Sequence, residues 1–330
     1  MKAQIKGCGE TIDWIADADH AAGDVVQLHD GRAAVVTVKV ASGDTVAVWV
    51  EGLFLMQATT SMVILMGSRL FWDYSAGSVS LLHGNDRDFF VGCAQPGGSS
   101  HTPGTVSAGV SGPTIAKTSA GTDVMVALKV KASNELSLGS GFATVPVYTA
   151  GINIGAFGTG EGVNLIKDAT AEAQKVDALS FRAMAIGAKM IVDALICVNS
   201  DGNAASDTNV GLANGTHATD ADSIAEHLFV HLDGGSTAIK MQSKDGTTTV
   251  TAADTTVVYV AGTPFLVQFD CSDLTDIQAY INGVNVLASS VFKLNAATGP
   301  LKLLAHSERS GTGTLSNHSI LSLVARPAQV

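Results

Sequence analysis

The sequence predicts an all-β protein in which a small N-terminal β-barrel or sandwich is followed by a larger antiparallel β-sandwich. Three observations predict this class. Only 15% of the 330 residues are charged, while 46% are apolar and 35 are glycine, a composition typical of a β-rich body with many turns. Short apolar runs with a period near two recur along the chain. Gly-Asp, Asp-Gly and Asn-Gly pairs separate these runs and supply the turns.

The first 130 residues contain short predicted strands. Their apolar residues alternate, and the spacing of roughly 8–12 residues between strands is typical of a small barrel or sandwich. Trp14, Trp49 and Trp72 all lie in this half, where we expect them in the core or in a subunit interface. The predicted strands are 25–29, 33–40, 45–50, 69–73, 89–94 and 124–130.

The second half repeats this pattern with longer strands, about nine in number. In 227–233, Leu228, Val230 and Leu232 alternate with His227, Phe229 and His231. Asn282-Gly283 lies between two apolar runs and predicts a type I′ hairpin. One helical segment is predicted around 171–177. The other predicted strands are 190–198, 265–269, 277–286, 301–305 and 319–324.

Gly-rich segments indicate where the chain divides. Residues 95–121 are interrupted by Pro-Gly, Gly-Gly and Gly-Pro pairs and are predicted to form a loop. A second Gly-rich stretch, 136–162, precedes the longer strands. We therefore predict an N-terminal β domain at 1–135, a Gly-rich linker at 136–162 and a β-sandwich domain at 163–330.

Charge and hydropathy exclude two classes of partner. The net charge is −11, and the 19 Lys and Arg residues are scattered, whereas nucleic-acid binding requires clustered positive charge. No stretch reaches the roughly 18 apolar residues of a membrane span. The first residues lack the apolar core of a signal peptide. We expect no nucleic-acid or membrane partner and synthesis in the cytoplasm without Sec export.

The candidate metal ligands lack the spacing of a metal site. No CxxC pair is present, so the four cysteines are expected to be buried thiols. His227 and His231 lie about 13 Å apart along a strand, which is too far to share one zinc ion, and are expected on a polar outer face. The aspartate pairs fit turns, with a structural calcium ion left open for the second half. No metal or cofactor is predicted.

No catalytic motif is visible either. Gly158–Gly162 contains neither the Gly-Lys-Ser/Thr of a P-loop nor a dinucleotide fingerprint, and G-x-S-x-G is absent. A glycoside hydrolase would need two facing carboxylates about 5–10 Å apart, and the sequence shows no such pair. We predict a protein that is not an enzyme and has no catalytic residues.

Four ordered motifs carry a resemblance to a known family. They lie in 23–26 (Gly-Asp-Val-Val), 46–54 (a valine-rich strand ending in Gly-Leu-Phe), 67–73 (Gly-Ser-Arg-Leu-Phe-Trp-Asp) and 90–94 (Phe-Val-Gly-Cys-Ala). Together they resemble the capsid decoration, or cement, proteins of tailed bacteriophages. The second half, chiefly through 269–273 and 277–286, resembles the lectin-like jelly rolls attached to phage structural proteins. Compact cement proteins lack about 170 of the residues found here, and also lack the long insertion after Ala94.

The resemblance implies a structural role on the virion. A cement protein lies on the outer surface of the icosahedral head, binds the major capsid protein, and stabilises the shell, often as a homotrimer at three-fold or quasi-three-fold positions. The N-terminal arm is a candidate capsid contact through Lys2, Ile5 and Lys6, because an extended arm can add a strand to another sheet. The C-terminal domain would then be displayed outward.

One alternative of another class stays open. The second domain fits a carbohydrate-binding or host-adhesion module of a virion, which would hold the particle near glycans. Its sugar-stacking residues would be Tyr259, Tyr280 or a phenylalanine. Glycan binding and decoration are compatible with each other.

Overall fold

The computed structural model describes most of the chain. The described residues are 3–5, 9–83, 87–97, 115–128, 136–138, 141–151, 154–159, 162–184, 189–202, 204–311 and 314–327. They contain 27 strands, short 3₁₀ turns and no α-helix. The predicted all-β class is therefore confirmed. No helix among these residues has the length and hydropathy needed to cross a membrane.

The chain folds into two compact units. The first comprises Met1–Ser133 with Asn282–Val284, and the second comprises Asn134–Ile281 with Asn285–Pro327. The strands of the first unit are β1 (Ala3–Ile5), β2 (Thr11–Ile15), β3 (Val25–Gln27), β4 (Ala33–Val36), β5 (Thr45–Trp49), β6 (Gly52–Gln57), β7 (Ile64–Leu65), β8 (Arg69–Asp73), β9 (Ser78–Ser80), β10 (Phe89–Gln95), β11 (Ile115–Lys117) and β12 (Asp123–Leu128).

Antiparallel pairing organises the first unit into small sheets. A six-stranded sheet has the order β1-β6-β12-β10-β8-β9, a four-stranded sheet has the order β2-β5-β4-β3, and β11 pairs with β7. In β8, Leu70 and Trp72 are buried while their neighbours are partly exposed. This period of two buries one side of the strand, as the sequence pattern predicts.

The second unit is a sandwich of two larger sheets. Its strands are β13 (Leu136–Ser137), β14 (Phe142–Val147), β15 (Gly155–Thr159), β16 (Gly162–Ile166), β17 (Gln174–Ser180), β18 (Met190–Asp201), β19 (Ser206–Ala213), β20 (Glu226–Asp233), β21 (Ala238–Asp245), β22 (Thr249–Val258), β23 (Phe265–Cys271), β24 (Gln278–Ile281), β25 (Val284–Val286), β26 (Lys302–Arg309) and β27 (Ser316–Pro327).

The two sheets enclose one apolar core. The eight-stranded sheet has the order β15-β16-β27-β18-β23-β24-β25, with β13 beside β27, and the seven-stranded sheet has the order β14-β17-β26-β19-β20-β21-β22. Val192, Val230, Phe269 and Leu303 are fully buried members of the core. Such burial is the main stabilising contribution to a sandwich of this kind.

The predicted linker at 136–162 is wrong for the residues described there. Phe142–Val147 forms β14, which pairs with β17, and Gly155–Thr159 forms β15, which pairs with β16. Both are edge strands. Glycine and proline are tolerated at such positions, because an edge strand is paired on one side only. The Gly-rich composition therefore marks the edges of the sandwich.

The predicted helix around 171–177 is also wrong. Gln174–Ser180 is the strand β17, which pairs with β14 and β26. Val176 and Ala178 are buried in the core, so tertiary pairing overrides the local helical preference. The hairpin at Asn282-Gly283 is confirmed, since both residues have positive φ, 49° and 78°, as a type I′ turn requires.

Replacing Phe269 by alanine tests the position of the core. Phe269 has no exposed surface, so Phe269→Ala is expected to lower the free energy of unfolding by about 3–5 kcal/mol. Phe181 is 68% exposed, and Phe181→Ala is expected to change it by less than about 0.5 kcal/mol. Urea unfolding followed by circular dichroism measures both. Equal destabilisation by the two changes would contradict this core.

Candidate functional site

The first candidate surface is the edge of the six-stranded sheet in the first unit. Ile5 and Ala3 of β1 pair with Phe54 and Met56 of β6. β1 is the last strand on its side of the sheet, so within the described part of the chain its other edge carries no strand. Ile5 and Leu53 are each 39% exposed. The edge therefore presents backbone hydrogen-bonding groups beside apolar side chains.

The structure brings together only part of the predicted capsid contact. Ile5 is placed at the exposed edge, whereas Lys2 and Lys6 lie outside the described residues. Residues 3–5 form a strand of their own unit's sheet. These three residues are thus anchored in the sheet, and the other edge of β1 is left open among the described residues.

The second candidate surface is the outer face of the seven-stranded sheet. Antiparallel register aligns polar residues of neighbouring strands into two rows that cross it. The first row consists of Asp177, His306, Asn209, His231 and Lys240. The second row consists of Lys175, Glu308, Asp207 and Asp233. We call these residues the polar rows.

His306 lies at the buried end of the rows. Its Nδ1 is 2.6 Å from Asp177 Oδ1 and its Nε2 is 3.0 Å from Glu308 Oε2. Lys175 Nζ adds an ion pair to Asp177 at 2.7 Å. Burial lowers the pKa of His306, but the two carboxylates outweigh burial and raise it above the ordinary value. The two carboxylates therefore favour the protonated imidazole, in which both ring nitrogens donate.

His231 occupies the equivalent position two strands away. Its Nε2 is 2.6 Å from Asp233 Oδ1, and its Nδ1 is 2.9 Å from Asn209 Oδ1. Burial opposes the charged form, yet Asp222 and Asp233 raise the pKa of His231. For Asp222, burial is outweighed by the nearby His231 and by a hydrogen bond from Gln242, which lower its pKa to about 2. Lys240 also binds Asp233.

The sequence predicts that His227 and His231 lie on a polar outer face of the sheet. That prediction is wrong about exposure, because both side chains are buried. Their exposures are 2% and 4%. Residues Ala221 and Ile224 pack with Phe229 over this end of the sheet. His227 stacks on Phe229 and bonds Ile224 O through Nδ1 at 3.0 Å. The period of two predicts which residues share a face, but does not predict that a connecting segment covers it.

Asp207 lies between two other carboxylates of the second row. Burial and the charges of Glu308, Asp233 and Asp222 raise its pKa, although His231 opposes them. Ligand atoms of Asp207, His231 and Asp233 lie within 4.8 Å of one another. His231 and Lys240 already supply positive charge to Asp233. The rows thus combine hydrogen-bonding groups with partly balanced charge.

The other predicted candidates have structural roles. Asp270 and Asp273 accept backbone N–H bonds from Ser272 and Thr275, two residues later. This confirms the turn interpretation of these aspartates. Cys93, Cys197 and Cys271 are buried, as expected, and Cys8 lies outside the described residues. Tyr259 and Tyr280 are also buried, so the described structure places neither on an exposed face for sugar stacking.

Sequence reasoning missed the polar rows. His306 and Glu308 lie just beyond the predicted strand 301–305, and Lys175 and Asp177 lie in the segment predicted as a helix. The alternation of residues in 302–309 could have predicted part of the rows, because it places Leu304, His306 and Glu308 on one side of a strand.

Comparison with known proteins finds a similarity between the first unit and one family. Residues 7–110 match the model of the phage cement protein family. This confirms the resemblance predicted from the four motifs. No curated protein sequence matches the chain.

Solved structures similar to the chain include a carbohydrate recognition domain and a carbohydrate-binding module. The Emp47p carbohydrate recognition domain is 9% identical, with 57% of this chain and 89% of that chain covered and a TM-score of 0.41. The VIP36 exoplasmic/lumenal domain, in a Ca²⁺/Man-bound form, is 12% identical, with 57% of this chain and 84% of that chain covered and a TM-score of 0.40. The carbohydrate-binding module CBM66 from Bacillus subtilis is 8% identical, with 54% of this chain and 91% of that chain covered and a TM-score of 0.32.

The raised pKa of His306 predicts a pH-dependent contribution to stability. The unfolded imidazole has a pKa near 6.5, so the contribution is fully present below about pH 6.5 and is lost as pH rises through the raised folded value. His306→Gln removes the charge that Asp177 and Glu308 share. It is expected to lower the free energy of unfolding by about 3–5 kcal/mol in acid, and by less as pH rises.

Urea unfolding of wild type and variant from about pH 5 to about pH 9 checks this prediction. His29→Gln is the control, because His29 is exposed in the first unit and its replacement is expected to give only a small difference in stability. A His306→Gln difference that stays constant over this range would contradict a protonated His306.

Proposed function

We propose that this chain is a non-enzymatic phage structural protein that binds the outer surface of the icosahedral head and stabilises the capsid. The match of residues 7–110 to the phage cement family carries the proposal. The partner is the major capsid protein, and the protein is a virion component made in the host cytoplasm. The decoration domain is 1–135, and the C-terminal sandwich is displayed outward.

The mechanism is the addition of many modest contacts over a repeating lattice. A homotrimer at three-fold or quasi-three-fold positions bridges neighbouring capsomers and opposes their separation. Each site needs only moderate affinity, because engagement of one contact raises the effective concentration of the others. A small β unit with an open sheet edge suits this role, since strand addition supplies several hydrogen bonds without a deep pocket.

Charge distribution supports outward display of the second unit. Residues 1–133 contain 9 Lys and Arg against 12 Asp and Glu, and residues 134–330 contain 10 against 18. Most of the net charge of −11 therefore belongs to the second unit. Negative charge on the outside of coated heads would limit their association with one another.

Head binding tests the function directly. Purified protein is added to expanded heads of the parent phage that lack it, and bound copies are counted after co-sedimentation. We expect saturation at a number set by the icosahedral lattice, with coated heads surviving heating better than bare heads. Absence of saturable binding would contradict the proposal.

Replacing Ile5 by glutamate tests the N-terminal edge as the capsid contact. Ile5→Glu puts a charge at the edge of β1 and is expected to weaken head binding by about 10–100-fold, the loss of a buried apolar contact. Ile15 is 63% exposed elsewhere in the first unit, so Ile15→Glu is the matched control and should bind as wild type. If wild type, Ile5→Glu and Ile15→Glu bound heads equally well, this edge would not be the capsid contact.

A glycan-binding or host-adhesion module is the alternative for the second unit. The polar rows favour it, because their partly exposed carboxylates, such as Asp207 and Asp233, can accept hydrogen bonds from hydroxyl ligands. A glycan array with and without millimolar calcium tests it. Saturable binding that Asp207→Asn weakens would support the module, and a blank array in both conditions would contradict it.

A further inference from the structure

Three side chains that commonly bind metals converge on the outer face of the seven-stranded sheet. Asp207 of β19 lies directly opposite Asp233 of β20, and His231 lies two residues before Asp233 on the same side of that strand. One ligand atom from each of the three lies within 4.8 Å of the other two. A zinc ion with bonds of about 2 Å holds its ligand atoms roughly 3 Å apart, so side-chain rotations alone would bring all three onto one ion. We call these residues the His-Asp cluster.

Hydrogen bonds to neighbouring polar groups fix the ring of His231. Its Nδ1 is 2.9 Å from Asn209 Oδ1. Gln242 Nε2 donates to the same oxygen at 3.0 Å and to Asp222 Oδ1 at 2.5 Å, which holds the Asn209 amide in place. His231 Nε2 then lies 2.6 Å from Asp233 Oδ1. A histidine that binds a metal through one ring nitrogen is usually oriented in this way through the other.

Asp207 is the member of the cluster whose charge is least compensated. It is paired in register with Glu308 on one side and with Asp233 on the other, and like charges directly opposite one another are destabilising. Glu308 and Asp233 each bind a histidine or lysine side chain. Among the contacts of the described residues, the Asp207 carboxylate makes no hydrogen bond or ion pair. A cation bound between Asp207 and Asp233 would compensate this charge.

An ion can reach the cluster from the solvent. The side chain of Asp233 is 31% exposed, and Asp207 is also partly exposed, whereas His231 is buried beneath them. Lys240 binds Asp233 through Oδ2, which leaves Oδ1 directed toward His231. Three protein ligands on an accessible face leave a further coordination position for water, as in other three-ligand zinc sites.

We propose that Asp207, His231 and Asp233 form a binding site for a divalent transition-metal ion, for which zinc is the probe. Imidazole is a good ligand for zinc, copper, iron and nickel, whereas calcium and magnesium prefer oxygen ligands alone. Paired strands supply all three side chains, and ligands carried by such rigid elements are placed more precisely than ligands on loops. The inference goes beyond the proposed function and does not rest on head binding, so either can fail without the other.

Isothermal titration calorimetry of the full chain with zinc chloride tests the site, after dialysis of the protein against a chelator. We expect the wild type to bind one zinc ion per chain. Asp207→Asn is expected to raise the dissociation constant by at least about 10-fold, because loss of a ligand costs no less than loss of a group that orients one. Asp276 is exposed in the segment before β24, so Asp276→Asn is the matched control and should bind zinc as wild type does.

Thermal unfolding separates metal binding from a structural role of Asp207. The variant Asp207→Asn loses a carboxylate that faces two others, so without metal it should be at least as stable as the wild type. Excess zinc should raise the Tm of the wild type more than that of the variant, since a ligand stabilises the state that binds it. His231→Gln is a second variant if Asp207→Asn does not fold, and it is expected to weaken zinc binding as well.

Three results would overturn the inference. The first is a wild type that shows no saturable zinc binding, and the second is a folded Asp207→Asn protein that binds zinc as tightly as the wild type. The third is an equal loss of binding in His29→Gln, which removes an exposed histidine of the first unit, because zinc would then be held by surface imidazoles.

Calcium chloride in the same titration tests the class of metal. Because the cluster offers a ring nitrogen beside two carboxylates, we expect calcium to bind much more weakly than zinc. Calcium binding as tight as zinc binding, and equally sensitive to Asp207→Asn, would overturn the assignment of a transition metal.

Discussion

The pairing of β27 with β18 is the constraint on which the second unit depends. The two longest strands run antiparallel from Met190 opposite Pro327 to Asp201 opposite Ser316. β27 also pairs with β16, so the C-terminal strand lies inside its sheet. The eight-stranded sheet therefore cannot be completed before Ser316–Pro327 is available. Such long-range pairing is typical of slowly folding β proteins.

In this sandwich, the pKa of a buried histidine depends more on the groups beside it than on how completely it is buried. His306 and His318 are 1% and 4% exposed, yet their pKa values move in opposite directions. Two carboxylates raise the pKa of His306, whereas burial and the nearby Lys167 lower that of His318 to about 3. Lys167 bonds Ser316 Oγ at 2.8 Å and has no carboxylate bond among the contacts described, and burial lowers its pKa to about 7. The outer face thus holds charge in pairs, while the core side favours neutral groups.

Local patterns in the sequence predict much of this fold but little of the candidate site. The strands around Phe71, Val230 and Phe269 follow from alternation, and the turn at Asn282 follows from its dipeptide. The edge strand Phe142–Val147 was missed because its glycine-rich surroundings are typical of a linker. The polar rows were missed because Asp177 and His306 are 129 residues apart. Their contact is set by strand order and register, which composition does not encode.

The two units differ in the physical task for which each is suited. The first has an excess of only three acidic residues and exposes an open sheet edge, which is a means of contacting protein. The second carries an excess of eight acidic residues and holds its charged rows through internal ion pairs. The proposed role on the capsid needs a contact surface on one part and a charged, solvent-tolerant body on another. Separation of these properties between two units allows either one to change its surface without altering the core of the other, because each has its own sheets.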